Sequence, residues 1–379
     1  MNKTSIIILS FDTIELTRLC IESIRAYTAA GSYEIIVIDN GSHDGSVEYL
    51  RAQADVRLIE NKENRGFPAG CNQGMKAAAA DSDLLLLNSD TIVTPHWLEN
   101  LQAALHSADD IGAVSCVTNN CANFQSIPAQ YETLEEMEAF AAQFNASDPA
   151  RWFPWMTLVA FALLVRREAY EAIGGFDEAF SPGNYEDDDY SLRLRQAGWQ
   201  LLLCEDTFIH HFGSASFRKG RTPAEEAARE KRYRALSARN RAKLVRKHHL
   251  PEAYKTKHAI VDVLPGDLPA GTRVLLANCA LGYDLYLLKS RMPQVLPCGL
   301  TFDRAAVKIG AAPYPFVWAK GWKDAVAAVQ KSFDALPDVA ILIGDMAAVP
   351  ETERVVSGLR QAGVRKIWYR SGDDVYGCC

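Results

Sequence analysis

The sequence predicts an α/β fold with a mixed, mainly parallel sheet, followed by a second, smaller Rossmann-like α/β domain. Three observations carry this. Continuous apolar runs at Ser5–Leu9, Tyr33–Ile38 and Leu84–Leu87 read as strands buried on both faces. Segments with helical spacing separate them, and strand–helix alternation of this kind builds βαβ units. From about Thr256 the alternation starts again, and 379 residues exceed the usual size of one core.

The first strand, Ser5–Leu9, is followed by a helix over Thr13–Tyr27, with Ile14, Leu16, Leu19, Ile21 and Ile24 at helical intervals. The second strand ends in Asp39-Asn40-Gly41-Ser42. A helix over Asp44–Ala52, a strand over Val56–Glu60 and an Ala-rich helix over Ala69–Ala80 come next. The strand Leu84–Leu87 then runs into Asn88-Ser89-Asp90. Between Asn119 and Trp155 the alternation fails, and Trp152, Phe153 and Trp155 crowd around Pro154. A strand-like run, Leu158–Val165, resumes the core. Gly174-Gly175-Phe176-Asp177, the acids Glu186-Asp187-Asp188-Asp189, a helix over Tyr190–Gln196 and a strand over Gln200–Leu203 follow. In the second domain, strands are expected at Arg273–Ala277, Gln294–Leu300, Phe316–Ala319, Val339–Ile343 and Lys366–Tyr369. The boundaries read as 1–250 and 256–379, with 119–157 as an acceptor-side insertion and 218–250 as a basic helical segment.

Composition is that of a globular protein, with 48% hydrophobic and 23% charged residues. A net charge of −7 argues against nucleic acid as a partner. Arg218–Lys247 holds twelve Lys/Arg against three Glu, a local +9, which leaves −16 elsewhere. Its helical reading turns Ala227, Tyr233, Leu236, Leu244 and Val245 inward. The rest is a solvated basic face or one suited to anionic lipid or a phosphate-bearing acceptor. Nine scattered cysteines fit a reducing compartment. No apolar stretch is long enough to span a membrane, and no secretory signal is visible. The expected location is the cytoplasm, with peripheral association at the inner face of the membrane left open.

Ligands of parallel sheets bind beyond the carboxyl ends of the strands, where Ser10, Asp12, Asp39, Asn64 and Asp90 gather. Asp39 can accept hydrogen bonds from a base or ribose, or merely shape the turn before Gly41. Asp90 can reach a cation on a diphosphate, or cap a helix at Thr94-Pro95. The loop Asn64-Arg65-Gly66-Phe67-Pro68-Ala69-Gly70 brings backbone amides toward a phosphate or sugar. Four acids in succession at 186–189 repel one another unless function or a cation compensates, although acids also favour helix starts. His210-His211 supplies imidazoles suited to a metal.

Together these blocks resemble glycosyltransferase family 2, the GT-A group that includes bacterial rhamnosyl- and glucosyltransferases. The resemblance rests on Ser5–Ser10, Val37–Ser46, Asn64–Gly70, Leu86–Asp90, Gly174–Glu178, Tyr185–Asp189 and His210–Ser214, in order over about residues 4–245. It implies the GT-A nucleotide-diphospho-sugar transferase fold and an inverting transfer to an acceptor hydroxyl from a UDP- or dTDP-type donor. Mn²⁺ or Mg²⁺ would stabilise the departing diphosphate. Asp187 would be the catalytic base and Asp90 the last acid of an Asp-X-Asp metal motif whose first position is Asn88. One histidine, His211 before His210, would complete the metal site. Ser10, Asp12, Asp39, Asn64, Gly66, Gly70, Asn88 and Ser89 would line the donor. Trp155, Glu186 and Asp188 are expected on the acceptor side, facing a glycan, a lipid-linked or a protein acceptor.

The second domain faintly resembles a class I methyltransferase. Only Gly282 remains of the glycine-rich loop after Val274–Ala277, and Thr301 stands where an acid would hold a cofactor ribose. With both handles lost, it reads as a structural or interaction module rather than an S-adenosylmethionine site. A catalytically silent nucleotide-sugar binder would be expected to lack the carboxylates at 90 and 187. Both are present.

Overall fold

Two sheets with the same central arrangement organise the chain. The computed structural model describes residues 3–213, 222–250, 264, 268–304, 306–309, 313–371 and 374–378. It divides into two units, Met1–Leu244 and Val245–Cys379. Ser214, the basic residues 218, 219 and 221, and the expected restart near Thr256 lie outside the described residues.

In the first unit, β1 (Lys3–Ser10), α1 (Ile14–Tyr27), β2 (Tyr33–Asp39), α2 (Ser46–Arg51), β3 (Val56–Glu60), α3 (Phe67–Ala77) and β4 (Ser82–Asn88) alternate. The short strand β5 (Thr91–Ile92), α4 (Trp97–Leu105), β6 (Ile111–Val117), α5 (Leu134–Phe144), β7 (Trp152–Pro154), β8 (Ala162–Val165) and α6 (Arg167–Ile173) follow. The unit ends with α7 (Glu186–Gln196), β9 (Gln200–Phe208) and β10 (His210–His211), and α8 (Pro223–His248) runs across its boundary. The main sheet has the order β3-β2-β1-β4-β8-β6-β9-β7. Its first four strands are parallel, and β8 lies antiparallel to both β4 and β6. The mixed, mainly parallel α/β sheet is therefore as expected. The apolar runs of β1, β2 and β4 have the reason expected of them, since Ile6–Ile8, Ile35–Ile38 and Leu84–Leu87 are buried whichever face they point to.

Helix α3 packs against β1 and β2 through glycines. A Cβ on Gly70 would run into Leu9, and one on Gly74 into Ile7. Gly70, expected near the donor, is thus a packing residue. Helix α5 lies within the stretch where regular structure was not expected. Its start is a capping box, with Glu136 N–H donating to Thr133 Oγ1 (3.2 Å) and Thr133 N–H to Glu136 Oε2 (3.4 Å). Helix α7 begins four residues before the expected Tyr190, so all four acids occupy its first turn, where the helix dipole favours them. In α8 the inward face also differs from expectation. Ala227 is exposed and Tyr233 is 49% exposed, whereas Asn240, Leu244 and His248, four residues apart, are buried.

The second unit contains β11 (Arg273–Ala277), α9 (Tyr283–Arg291), β12 (Leu296–Thr301), α10 (Ala306–Ile309), β13 (Phe316–Trp318), α11 (Trp322–Ser332), β14 (Val339–Asp345), α12 (Thr352–Gln361), β15 (Lys366–Ser371) and β16 (Asp374–Cys378). The order is β13-β12-β11-β14-β15-β16, parallel except for the β15–β16 hairpin. Among the described residues no helix is long and apolar enough to cross a membrane.

Candidate functional site

The site forms where β1, β2 and β4 end. Asp39 closes β2 and is fully buried; its Oδ1 accepts from the amides of Gly41 (3.0 Å) and Ser42 (2.9 Å). That is the turn-shaping role. Its Oδ2, equally buried, has no partner among the described residues. A buried oxygen left this way costs free energy unless a ligand meets it, and it sits at the carboxyl end of β2, where ligands of such sheets bind. Around it, Asp12 takes a left-handed φ of 51° and accepts from His43 N–H at 2.7 Å, while Asn40 donates to Asn64 Oδ1 at 3.0 Å. Asn64 Oδ1 also accepts from Gly66 N–H (2.8 Å), setting the glycine that starts α3 at φ 83°. Ser10 departs from expectation. It is fully buried with its hydroxyl 3.0 Å from Thr17 Oγ1, turned toward α1. Ser89 is 8% exposed, with its hydroxyl 3.3 Å from Thr13 Oγ1.

Beyond β4, a two-residue ribbon makes the second feature. β10 pairs antiparallel with β5, setting His211 opposite Thr91 and beside Asp90. His211 Nε2 lies 3.2 Å from Asp90 Oδ1, both side chains nearly buried, and 3.5 Å from Asn88 Nδ2. Asp90 caps no helix, since α4 starts at Trp97 behind His96. His211 Nδ1 lies 2.8 Å from the Asn120 carbonyl, which accepts its proton. Asn119 clamps the histidine backbone, accepting from its N–H (2.9 Å) and donating to its C=O (3.2 Å), and Phe161 stacks on the ring at 5.4 Å. With Nδ1 protonated, Nε2 turns a lone pair toward the Asp90 carboxylate, an arrangement that needs a proton or a cation between them. Burial works to lower the His211 pKa, but Asp90 and the Asn120 carbonyl outweigh it, and the net shift is upward.

His210 points to the opposite face of the ribbon. Its Nδ1 is 2.6 Å from Tyr131 Oη, and burial, aided by His211, pushes its pKa down to about 4. The structure thus brings His211, not His210, to Asp90. Among the described residues no group of three His, Cys, Asp or Glu side chains converges as a metal cage.

The acids of α7 separate by direction around the helix. Asp189, fully buried, pairs with Arg193 Nε at 2.9 Å, and Arg193 also donates to the carbonyls of Ile173 (3.0 Å) and Gly175 (2.7 Å). Glu186 and Asp188, expected toward an acceptor, are only 6% and 4% exposed, so neither presents a carboxylate to solvent. Burial, with Asp187 and Asp188 adding, holds the Glu186 carboxyl well above the usual range, and its Oε2 has no partner among the described residues. Asp187 alone of the four is only half-buried. Trp155 also corrects the expectation: at 1% exposed it belongs to the core, where no sugar can stack on it.

Asn119, Asn120 and Phe161 were missed by sequence reasoning. Two asparagines after a strand carry no signal that a histidine some 90 positions later will use them.

Residues 5–174 match the family model described as glycosyl transferase family 2. The O-antigen biosynthesis protein RfbC of Myxococcus xanthus is 27% identical over 237 residues, covering 58% of this chain and 18% of that protein. The succinoglycan biosynthesis protein ExoA of Rhizobium meliloti (strain 1021) is 26% identical over 200 residues, covering 52% and 58%. The chain spans less than two thirds of the length of either relative. Among solved structures, a Pyrobaculum calidifontis mannosyltransferase in complex with GDP-Man and Mn²⁺ is 18% identical with a TM-score of 0.45, covering 65% of this chain and 64% of its own. The motifs run from the first strand through the Asp90 turn to the Gly174 loop within the matched segment, so that it is residues 5–174 that match glycosyl transferase family 2.

Proposed function

We propose that the protein transfers a sugar from a nucleotide-diphosphate donor, of UDP or dTDP type, to an acceptor hydroxyl with inversion at the anomeric carbon. The observation that carries this reading is the Asp90–His211 pair, a carboxylate oxygen and an imidazole nitrogen facing each other at 3.2 Å beyond the strand that ends in Asn88. The pair fits a divalent cation, carboxylate oxygen and neutral imidazole both being suitable ligands for Mn²⁺. Asp90 and His211 would hold it, with donor phosphates and water as its further ligands. A bound Mn²⁺ or Mg²⁺ would supply neutralisation of the leaving diphosphate.

The chain's own groups do the rest. Asp39 Oδ2 accepts from the base or ribose, and Asn64 with Gly66 shapes the loop beside the diphosphate. Asp187 takes the proton from the acceptor hydroxyl as that oxygen attacks the anomeric carbon and the diphosphate departs. The relatives named for O-antigen and succinoglycan synthesis point to a surface glycan or glycoconjugate as product. The acceptor is then a glycan, on a lipid or a protein. The basic helix α8 offers a surface for anionic lipid or a phosphate-bearing acceptor, which flotation with anionic liposomes at physiological salt tests. The second unit we read as a structural or interaction module.

Incubation with a panel of UDP-, dTDP- and GDP-sugars, with Mn²⁺ or excess chelator, tests the proposal. Donor turnover should appear for one class, vanish with chelator and return with metal. Full turnover in chelator overturns the metal assignment, and neither binding nor turnover of any donor overturns the function.

A further inference from the structure

The loop that leads into the acids of α7 is held from outside by a single stretch of α8. Asn240, fully buried, donates from its side-chain nitrogen to the carbonyls of Phe180 (2.7 Å), Gly183 (2.8 Å) and Asn184 (3.0 Å). Arg239 donates from Nη2 to the Ser181 carbonyl (2.7 Å) and from Nε to Asn240 Oδ1 (3.1 Å), which fixes the orientation of that amide. Lys243 Nζ donates to the Ala179 carbonyl and lies 5.4 Å from the centre of the Phe180 ring. The carbonyl left over, that of Pro182, accepts from the Phe67 N–H at the start of α3 (2.9 Å). Every carbonyl from 179 to 184 thus has a protein donor, five of the six on α8.

The next two residues need that support. Asn184 and Tyr185 both adopt left-handed φ, 73° and 72°, a conformation costly outside glycine that persists only where the surroundings enforce it. Tyr185 is the N-cap of α7, and Asp187 follows two positions later. The direction in which Asp187 leaves the helix start therefore depends on the frame that α8 imposes on 179–184. One asparagine amide shared among three carbonyls is more than capping requires, since its two hydrogens must be divided between three acceptors.

We propose that α8 is a positioning element for transfer, with Asn240, oriented by Arg239, as the residue that sets the loop bearing Asp187. This rests on the reading of Asp187 as the base. A misplacement of about 1 Å at a reacting group costs on the order of a hundredfold in rate, and such precision needs a locked supporting shell.

The test uses the full chain with Asn240→Ala and Asn240→Asp, the second keeping the size while removing every donor. Three quantities are measured: turnover of the donor found in the nucleotide-sugar panel, with water as acceptor; the dissociation constant of the corresponding nucleoside diphosphate with Mn²⁺; and amide hydrogen exchange. The expected result is a 10- to 100-fold fall in kcat with nucleotide affinity changed less than about twofold. Exchange should be at least tenfold faster over residues 179–189 and unchanged in β1, β2 and β4. Arg239→Ala should show the same pattern more weakly, and it carries the test if the Asn240 variants do not fold. Unchanged exchange in the loop, or faster exchange with unchanged kcat, overturns the proposal, as does an equal loss of nucleotide affinity. If Asp187→Asn itself turns over donor at the wild-type rate, the assignment of the base falls instead, and the exchange measurement alone then decides whether α8 holds the loop.

Discussion

The two sheets of this chain repeat one arrangement and use it differently. In each, a central strand pairs in parallel with the next two core strands, β1 with β2 and β4, and β11 with β12 and β14. Each central strand is followed by a turn and a helix. At the first sheet's edge, Asp39 keeps a buried oxygen unpartnered among the described residues, and Asp90 faces His211. At the second, the corresponding polar groups are consumed by the protein. Asn278 donates to the Ile343 carbonyl at 3.0 Å, and the fully buried Thr301, in the place of Asp39, accepts from Asp303 N–H at 3.1 Å. The topology builds an edge where ligands can bind, but a site also needs polar groups the fold has not already satisfied. That difference can be broken or sharpened by mutation.

The largest effect is expected at Asp187. Asp187→Asn keeps shape but cannot take a proton, so transfer should fall by about 10² to 10⁴, with donor binding by calorimetry retained. If Asp187→Asn transfers normally while Asp188→Asn does not, the base has been misassigned within α7.

Next in size are Asp90→Asn and His211→Ala. Each should weaken metal-dependent donor binding by about 10- to 100-fold, the range seen when groups supporting a metal site are removed. His210→Ala should leave it nearly unchanged, because that ring faces Tyr131. Titration of nucleoside diphosphate at fixed Mn²⁺ separates the three variants. Equal losses at 210 and 211 would contradict the ribbon geometry.

This contrast also shows what the sequence could and could not convey. Strands β1, β2 and β4 were legible because burial on both faces leaves an unbroken apolar run. The start of α5 was legible in principle, since Thr133-Leu134-Glu135-Glu136 spells a capping box, but the surrounding polar residues hid it. The preference for His211 over His210 comes with the family resemblance, and its physical reason is not legible in the residues alone. It depends on a two-residue ribbon whose strands lie over 100 positions apart and whose register decides which imidazole meets Asp90. The inward face of α8 was misread for a related reason. Helical spacing admits several stripes in a segment this basic, and the stripe the fold uses begins with Asn240, a polar residue whose partners at 180–184 are supplied by tertiary structure.

A smaller effect distinguishes the two sheet edges directly. Asp39→Asn can preserve the turn through its remaining oxygen but presents an amide where a ligand needs an acceptor. Nucleoside-diphosphate affinity should fall about tenfold, the equivalent of roughly 1.4 kcal/mol. Asn278→Ala, at the second edge, should leave that affinity unchanged and cost about 1 kcal/mol of stability through the unpaired Ile343 carbonyl. Lost affinity in Asn278→Ala would give the second edge a role in binding the nucleotide and end the contrast.

The smallest effect concerns Glu186, the acid that the first edge buries rather than uses. Burial, then Asp187 and Asp188, raise its pKa above the ordinary value of 4.5. A carboxyl raised in the folded state contributes stability that is fully present below the unfolded pKa and is lost as pH rises through the folded one. Stability should therefore decline from about pH 4.5 upward until the folded pKa is passed. Glu186→Gln retains the shape and has no proton to lose, so this part of the decline should disappear. At pH 8 the variant should match or exceed the wild type, with a gain of about 1 kcal/mol raising Tm by roughly 2–4 °C. At pH 4 the two should melt together, because both then carry a neutral side chain. Turnover at pH 7 should stay within a few-fold of the wild type, in contrast to the collapse expected at Asp187. A variant less stable than the wild type at both pH values would mean that the carboxyl is bound as an anion. The contrast between a buried acid with a raised pKa and the half-buried one proposed as the base, side by side in one helical turn, would then have to be abandoned.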